Sequence, residues 1–156
     1  MNIRVVILAN ERAEDHMLWI KACEKLSDKV SYRVVNLTND KWFEEIQREP
    51  FDILLAKPGG VTSVFKQLYD ERIYILGKVS GYIIFPSPEE IFIYENKRFL
   101  SSWLKANTIP HPETHIFYDL AEAEAFLKET AYPVVGKVNI GASGSGVAIL
   151  KSEDEA

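Results

Sequence analysis

The sequence predicts an α/β fold, in which a small doubly wound parallel sheet is followed by a partial α+β unit. Short β-branched runs alternate with amphipathic stretches as far as about residue 85, and turn residues separate them. Such alternation is typical of a parallel sheet with helices on both faces. Near the end of the chain, two strand-like runs are joined by a glycine-rich loop, which predicts an antiparallel hairpin.

The first unit is predicted to contain four strands and three helices. Short continuous apolar runs indicate buried strands, whereas apolar residues spaced by three or four indicate helices. The predicted strands span residues 3–8, 30–37, 51–56 and 82–85, and the predicted helices span residues 15–26, about 40–50 and 64–76. Asp15 is the predicted cap of the first helix, and Pro50 ends the second.

The second unit begins with a capping signal and has a different order of elements. Ser87-Pro88-Glu89-Glu90 predicts the start of a helix, because serine and glutamate three residues apart form a capping box. The elements that follow are a helix from Asn96, a strand over residues 114–118, a helix capped by Asp119 and a hairpin over residues 133–150. We therefore predict two domains, spanning residues 1–88 and 89–156.

The composition is that of an ordinary globular chain with an acidic balance. The 156 residues are 47% hydrophobic, the formal net charge is -5, and the pI is near 5.3. Because no polybasic tract or basic face is present, we expect neither a nucleic acid nor a membrane as a partner. Cys23 is the single cysteine, which excludes an internal disulfide. Such sparse use of cysteine favours the cytoplasm.

The glycine-rich loop over residues 141–146, preceded by Lys137, is the strongest candidate for chemistry. A Walker A loop would need a lysine where Val147 stands, and a Rossmann loop would lead into a helix rather than a strand. A third interpretation is a lid whose backbone N–H groups and serine hydroxyls reach phosphates, with Lys137 as the neighbouring cation. A plain mobile hairpin with an exposed lysine explains the same residues equally well.

The order and spacing of these elements resemble the amino-terminal half of an ATP-grasp enzyme, over nearly the whole chain. The resemblance rests on Asn96-Lys97, on residues 106–112, and above all on residues 132–137 followed by the glycine loop. It implies that Lys97 and Lys137 contact ATP phosphates. It also implies that the loop folds over the β- and γ-phosphates, through Gly141, Ala142, Ser143, Gly144, Ser145 and Gly146.

Enzymes of this family typically activate a carboxylate as an acyl phosphate with ATP and Mg²⁺, after which an amine or another nucleophile displaces the phosphate. The resemblance thus implies the amino-terminal portion of an ATP-dependent carboxylate–amine ligase, or a similar ligase, with an unknown carboxylate substrate. The alternative is a non-catalytic α/β binding or assembly module that retains a vestigial glycine loop.

Three parts of the family's active site have no counterpart in this sequence: the adenine hinge, the acidic Mg²⁺ ligands and the arginine that binds the acyl phosphate. We expect them beyond this chain, which would then be a piece of a longer protein rather than a natural truncation. We also expect the chain alone to bind ATP weakly and to be inactive. Glu153, Asp154 and Glu155 are interpreted as a solvated end. We assign no metal ligand and no catalytic residue.

The remaining candidates receive mostly structural interpretations. Six residues follow the first and third predicted strands, at the edge where parallel sheets bind ligands: Asn10, Glu11, Arg12, Lys57, Gly59 and Gly60. Ordinary turns are their stronger interpretation, and substrate contact is the weaker one. His16, His111 and His115 lack metal-site spacing and are predicted at the surface, whereas Cys23 is predicted in the core.

Overall fold

A computed structural model describes residues 2–141, 144 and 146–155 and contains one four-stranded parallel sheet. Its strands are β1 (Ile3–Leu8), β2 (Val30–Val35), β3 (Ile53–Leu55) and β4 (Ile84–Phe85), in the spatial order β2-β1-β3-β4. In the register of the central strands, Val5 lies opposite both Tyr32 of β2 and Ile53 of β3. The predicted α/β class with a parallel sheet is confirmed.

Helices cover both faces of this sheet. The helices of the first unit are α1 (Ala13–Lys25), α2 (Trp42–Gln47) and α3 (Ser63–Tyr74), and α3 continues into a π-helical segment, Ile75–Val79. On one face, Val5 and Ile7 pack with Cys23 of α1. On the other face, Val6 and Leu8 belong to a larger core to which α2 and α3 contribute. Alternate residues of β1 therefore enter two separate cores, as the period of a strand requires.

Several predicted boundaries in the first unit are wrong by a few residues. Helix α1 begins at Ala13, and Arg12 precedes it without a side-chain cap, so Asp15 lies in the first turn and not at the cap. Strand β2 ends at Val35 because the side chain of Asn36 accepts hydrogen bonds from the backbone N–H and hydroxyl of Thr38, which turns the chain. Strands β3 and β4 are likewise shorter than predicted.

The second unit consists of three helices and a two-stranded hairpin. The helices are α4 (Pro88–Ile93), α5 (Lys97–Ala106) and α6 (Leu120–Glu129), and the antiparallel strands are β5 (Val134–Lys137) and β6 (Val147–Leu150). The capping box at Ser87 forms as predicted, with Ser87 and Glu90 bonding each other's backbone N–H. Asn96 and Asp119 also cap their helices. The boundary between the two units at residue 88 stays a prediction.

The predicted strand over residues 114–118 is wrong. In the described part of the chain this segment has no regular secondary structure and pairs with no strand, whereas β5 and β6 pair only with each other. Its aromatic side chains pack on α6 instead: the rings of His115 and Phe117 lie 4.5 and 5.3 Å from the ring of Phe126. A short 3-10 turn, Glu153–Glu155, follows β6, and its residues are exposed, as the interpretation of a solvated end requires.

None of the helices within the described residues is long and apolar enough to cross a membrane.

Candidate functional site

The first turn of α5 is fastened to the segment that follows β5. Asn96 caps the helix by accepting a hydrogen bond from the N–H of Phe99 at 3.1 Å. The N–H of Lys97 donates to the backbone oxygen of Asn139 at 3.2 Å, and the N–H of Arg98 donates to the Asn139 side chain at 2.9 Å. These three amides are therefore occupied, and any anion bound beside this helix start depends on side chains.

Lys97 reaches the start of the glycine loop. Its Nζ donates to the backbone oxygen of Gly141 at 2.7 Å and lies 3.5 Å from that of Asn139. A carboxylate oxygen of Glu95 lies 3.7 Å from the same nitrogen. The Lys97 side chain is 29% exposed, so part of it remains accessible to solvent. Two of the predicted site residues, Lys97 and Gly141, are thus brought into contact.

Lys137 occupies the last position of β5, opposite Val147 of β6, and is exposed. The hairpin closes directly after it, because the N–H of Val138 donates to the backbone oxygen of Gly146 at 2.8 Å. Gly144 and Gly146 have φ values of 80° and 67°, which favour glycine. The loop therefore needs glycine at both positions for its backbone path.

The remaining site residues of the loop, Ala142, Ser143 and Ser145, lie outside the described residues.

The described residues do not fit Mg²⁺. Over residues 2–141, 144 and 146–155, no three His, Cys, Asp or Glu side chains are grouped as a metal site. In the acidic turn after β6, the carboxylate of Glu155 accepts a hydrogen bond from the backbone N–H of Lys151 at 2.8 Å. No chemical step is therefore assigned to a metal held by these residues.

Asn10 fastens together the loops at the carboxyl edge of the parallel sheet. It is only 8% exposed, and its side-chain amide donates to the backbone oxygens of Lys57 and Pro58 at 2.7 and 3.2 Å. Its backbone N–H donates to Nδ1 of His16 at 3.1 Å. His16 is half-buried, so its predicted exposure is wrong, and it orders the loop after β1.

Glu11 caps α3 from a distant part of the chain. Its carboxylate accepts hydrogen bonds from the N–H groups of Val61 and Thr62, at 3.1 and 3.0 Å, and from the Thr62 hydroxyl. Because the start of a helix carries partial positive charge, a carboxylate there is favourable. Arg12 is exposed, and Lys57 pairs with Asp15 at 3.2 Å. Asn10, Glu11 and Lys57 thus order the loops along this edge of the sheet.

The other predicted residues have structural surroundings. Cys23 is buried, and burial raises the pKa of its thiol, so it belongs to the core as predicted. His111 contacts the backbone oxygen of Ile109 at 2.7 Å, and His115 packs on α6. Sequence analysis did not single out Glu95, because the local sequence gives no indication of the tertiary contacts that an acidic residue beside a helix start will make.

No protein-family model matches the chain. It is 26% identical, over 99% of its length, to phosphoribosylamine–glycine ligase of Yersinia pestis, of which it spans 38%. It is 29% identical, over 70% of its length, to the enzyme of that name from Mesorhizobium japonicum, of which it spans 24%. It is also 27% identical, over 69% of its length, to the carbamoyl phosphate synthase large chain of Archaeoglobus fulgidus, of which it spans 10%.

Three solved structures share the fold. The chain matches a RimK domain protein ATP-grasp of Sphaerobacter thermophilus with a TM-score of 0.64 and 20% identity, covering 97% of this chain and 55% of that one. It matches N5-carboxyaminoimidazole ribonucleotide synthetase of Thermotoga maritima with a TM-score of 0.64 and 21% identity, covering 99% and 42% of the two chains. D-alanine–D-alanine ligase of Helicobacter pylori gives a TM-score of 0.62 at 15% identity, with 99% and 58% covered.

The chain thus spans less than two thirds of each of these relatives. The relatives and the structural neighbours are ATP-grasp enzymes. The predicted resemblance to ATP-grasp enzymes is confirmed, and the chain shares the fold of the pre-ATP-grasp region of such ligases.

Proposed function

We propose that this chain provides the phosphate-facing half of the ATP site of a ligase that activates a carboxylate as an acyl phosphate. In this proposal Lys97, Lys137 and the glycine loop over residues 141–146 bind the phosphates. Transfer of a phosphoryl group depends mainly on positioning and on neutralising the charge of the phosphate oxygens. Two lysines beside a loop of freely approachable backbone N–H groups supply both.

The observation that carries the proposal is the contact between Lys97 and the glycine loop. Lys97 Nζ lies 2.7 Å from the backbone oxygen of Gly141, although 44 positions separate the two residues. Phosphate oxygens are stronger acceptors for an ammonium than backbone carbonyl oxygens, so a bound phosphate could replace Gly141 as the partner of Lys97. The contact brings a lysine from another helix to the first residue of the loop.

The carboxylate substrate would bind at the carboxyl edge of the parallel sheet, where open α/β sheets place their ligands. Asn10, Glu11 and Gly60 lie there, at the ends of β1 and β3. The nucleophile would be an amine or a similar group that displaces phosphate from the acyl phosphate. In the first step an oxygen of the carboxylate attacks the γ-phosphorus of ATP and ADP leaves. In the second step the nucleophile attacks the acyl carbon, phosphate leaves, and the proton of the nucleophile passes to solvent.

ATP titration of the chain tests the proposal, with the Lys97→Ala variant and with Lys105→Ala as the matched control from the exposed part of the same helix. Loss of one contact between an ammonium and a phosphate should weaken ATP binding about tenfold. Lys105→Ala should change the affinity by less than about twofold. NMR chemical-shift titration measures such weak binding. Equal affinities of the two variants would instead favour the non-catalytic module, and absence of any ATP binding would refute the proposal.

A further inference from the structure

The loop after β3 touches the residue that stands two positions before Lys97. Gly60 is buried, and a methyl group on it would place its carbon 2.5 Å from Cβ and 2.7 Å from Cγ of Glu95. Carbon atoms do not approach so closely, so any side chain at position 60 must displace Glu95 or the loop. The backbone of Gly60 is outside the left-handed region, and the lack of a side chain is therefore what this contact requires.

Glu95 is held in a backbone conformation that favours glycine. Its φ is 50°, in the left-handed region, where most residues with a side chain are strained. Its side chain is only 21% exposed, and a carboxylate oxygen lies 3.7 Å from Lys97 Nζ. The contacts of this side chain therefore hold a backbone geometry that glycine would adopt more easily.

The charge of Glu95 also acts on a buried ammonium, that of Lys66. Burial lowers the pKa of Lys66, whereas the charges of Asp70 and then of Glu95 raise it. Lys66 Nζ bonds both Asp70 carboxylate oxygens, at 2.5 and 2.6 Å, and the backbone oxygen of Ile91 at 2.9 Å. These three contacts fix Lys66, so the Glu95 carboxylate acts on one buried, immobile cation and lies 3.7 Å from a second, Lys97.

We infer that Gly60 and Glu95 are positioning residues for Lys97, and that they connect the loop over residues 57–62 to the phosphate-facing lysine. The inference rests on the proposed function, because it gives Lys97 the role of binding phosphate. It adds a connection between the carboxyl edge of the parallel sheet and the proposed phosphate site. A ligand that moves the loop over residues 57–62 changes the position of Glu95, and with it that of Lys97. By reciprocity, ATP bound to Lys97 changes the affinity for that ligand.

A double-mutant cycle on the chain tests the connection, with ATP as the probe. Gly60→Ala should weaken ATP binding about fivefold or more. In the Glu95→Gly background the side chain that collides with the new methyl group is gone, so the same Gly60→Ala change should alter the affinity by less than about twofold. Gly59→Ala is the control in the same loop: its methyl group would meet Phe65 at 2.5 Å, and its effect should not depend on residue 95.

Trace acetylation of lysines, quantified by mass spectrometry, tests the same inference without ATP. Gly60→Ala and the isosteric Glu95→Gln should each raise the labelling rate of Lys97 relative to that of Lys105, because they release the ammonium from its place. This readout separates the two claims, since a chain that fails to bind ATP but shows the labelling change refutes only the proposed function. Unchanged labelling in both variants, or an effect of Gly60→Ala that persists in the Glu95→Gly background, would overturn the inference.

Discussion

The buried ion pair between Lys66 and Asp70 gives the sharpest prediction about stability. Both side chains are almost completely buried, with 2% and 10% exposed. We expect Lys66→Met to destabilise the fold strongly, because the variant leaves the Asp70 carboxylate and the backbone oxygen of Ile91 without their donor. Removing one member of a buried pair costs about 3–5 kcal/mol.

The direction of the pKa shifts shows which effect dominates in the intact pair. Burial lowers the pKa of Lys66 and raises that of Asp70, and in both cases it outweighs the attraction of the partner. Desolvation therefore opposes the pair even though its geometry is good. Replacing both charges should therefore restore the stability that the single replacement loses. The free energy of unfolding of Lys66→Met/Asp70→Leu should lie within about 1 kcal/mol of that of the natural chain, or above it.

Urea denaturation followed by tryptophan fluorescence measures these three free energies of unfolding. The chain contains three tryptophans, which report on both units. A loss of less than about 1 kcal/mol in Lys66→Met would refute the reasoning, since so small a cost means that the pair is hydrated. A double variant less stable than Lys66→Met would refute the claim that desolvation dominates.

Three further predictions concern single residues. Arg4 hydrogen-bonds Asp52 and lowers the pKa of that carboxyl from 3.8 to about 2. The ionised Asp52 therefore stabilises the fold above pH ~3.9, and this contribution is lost as the pH falls through about 2. The unfolding temperatures of the natural chain and of Asp52→Asn should converge over that range. Thr108, just after α5, has a φ of 58°, so Thr108→Gly should raise the free energy of unfolding, measured by urea denaturation, by about 1 kcal/mol. Thr130→Gly, at a φ of -78°, should not raise it. Ser87→Ala should cost about 1 kcal/mol by the same measurement, and no loss would contradict the capping role.

Local signals predicted much of the fold. The capping residues Ser87, Asn96 and Asp119 each accept a hydrogen bond from the backbone N–H three positions ahead, so each cap depends on residues close in sequence. The hairpin is similarly local, because β5 and β6 are joined by one loop. The parallel sheet followed from alternation of strand and helix patterns, although the ends of its strands depend on turns that the pattern does not resolve.

Contacts between residues distant in sequence could not be predicted from such local signals. Residues 114–118 alternate as a strand does, but a strand needs a partner, and the described chain supplies none for them. Lys66 and Asp70 stand four positions apart on α3, a spacing typical of exposed helical pairs, and nothing in the sequence indicates that the fold buries them. The contact between Gly60 and Glu95 depends on tertiary placement alone.

For the candidate site, the sequence proposed the residues, and the structure shows part of their arrangement. Lys97 was named only through the family resemblance, and its ammonium lies at Gly141, the first residue of the predicted phosphate loop. Lys137 lies on β5 as predicted, and its role in binding phosphate stays a prediction. The carboxyl edge of the parallel sheet is better defined than the sequence suggested, because the side chains of Asn10 and Glu11 order its loops.

The central claim, that the glycine loop and its preceding lysine bind ATP phosphates, is tested most directly by NMR titration of the ¹⁵N-labelled chain with ATP. We compare Lys137→Ala with Lys151→Ala, two exposed lysines that lie on either side of the hairpin. We predict that ATP shifts the amide signals of residues 141–146. We also predict that Lys137→Ala weakens ATP binding about tenfold, whereas Lys151→Ala changes it by less than about twofold. Equal, small effects of the two substitutions, with the amide signals of the loop unmoved, would show that the loop is an ordinary hairpin and would contradict the account.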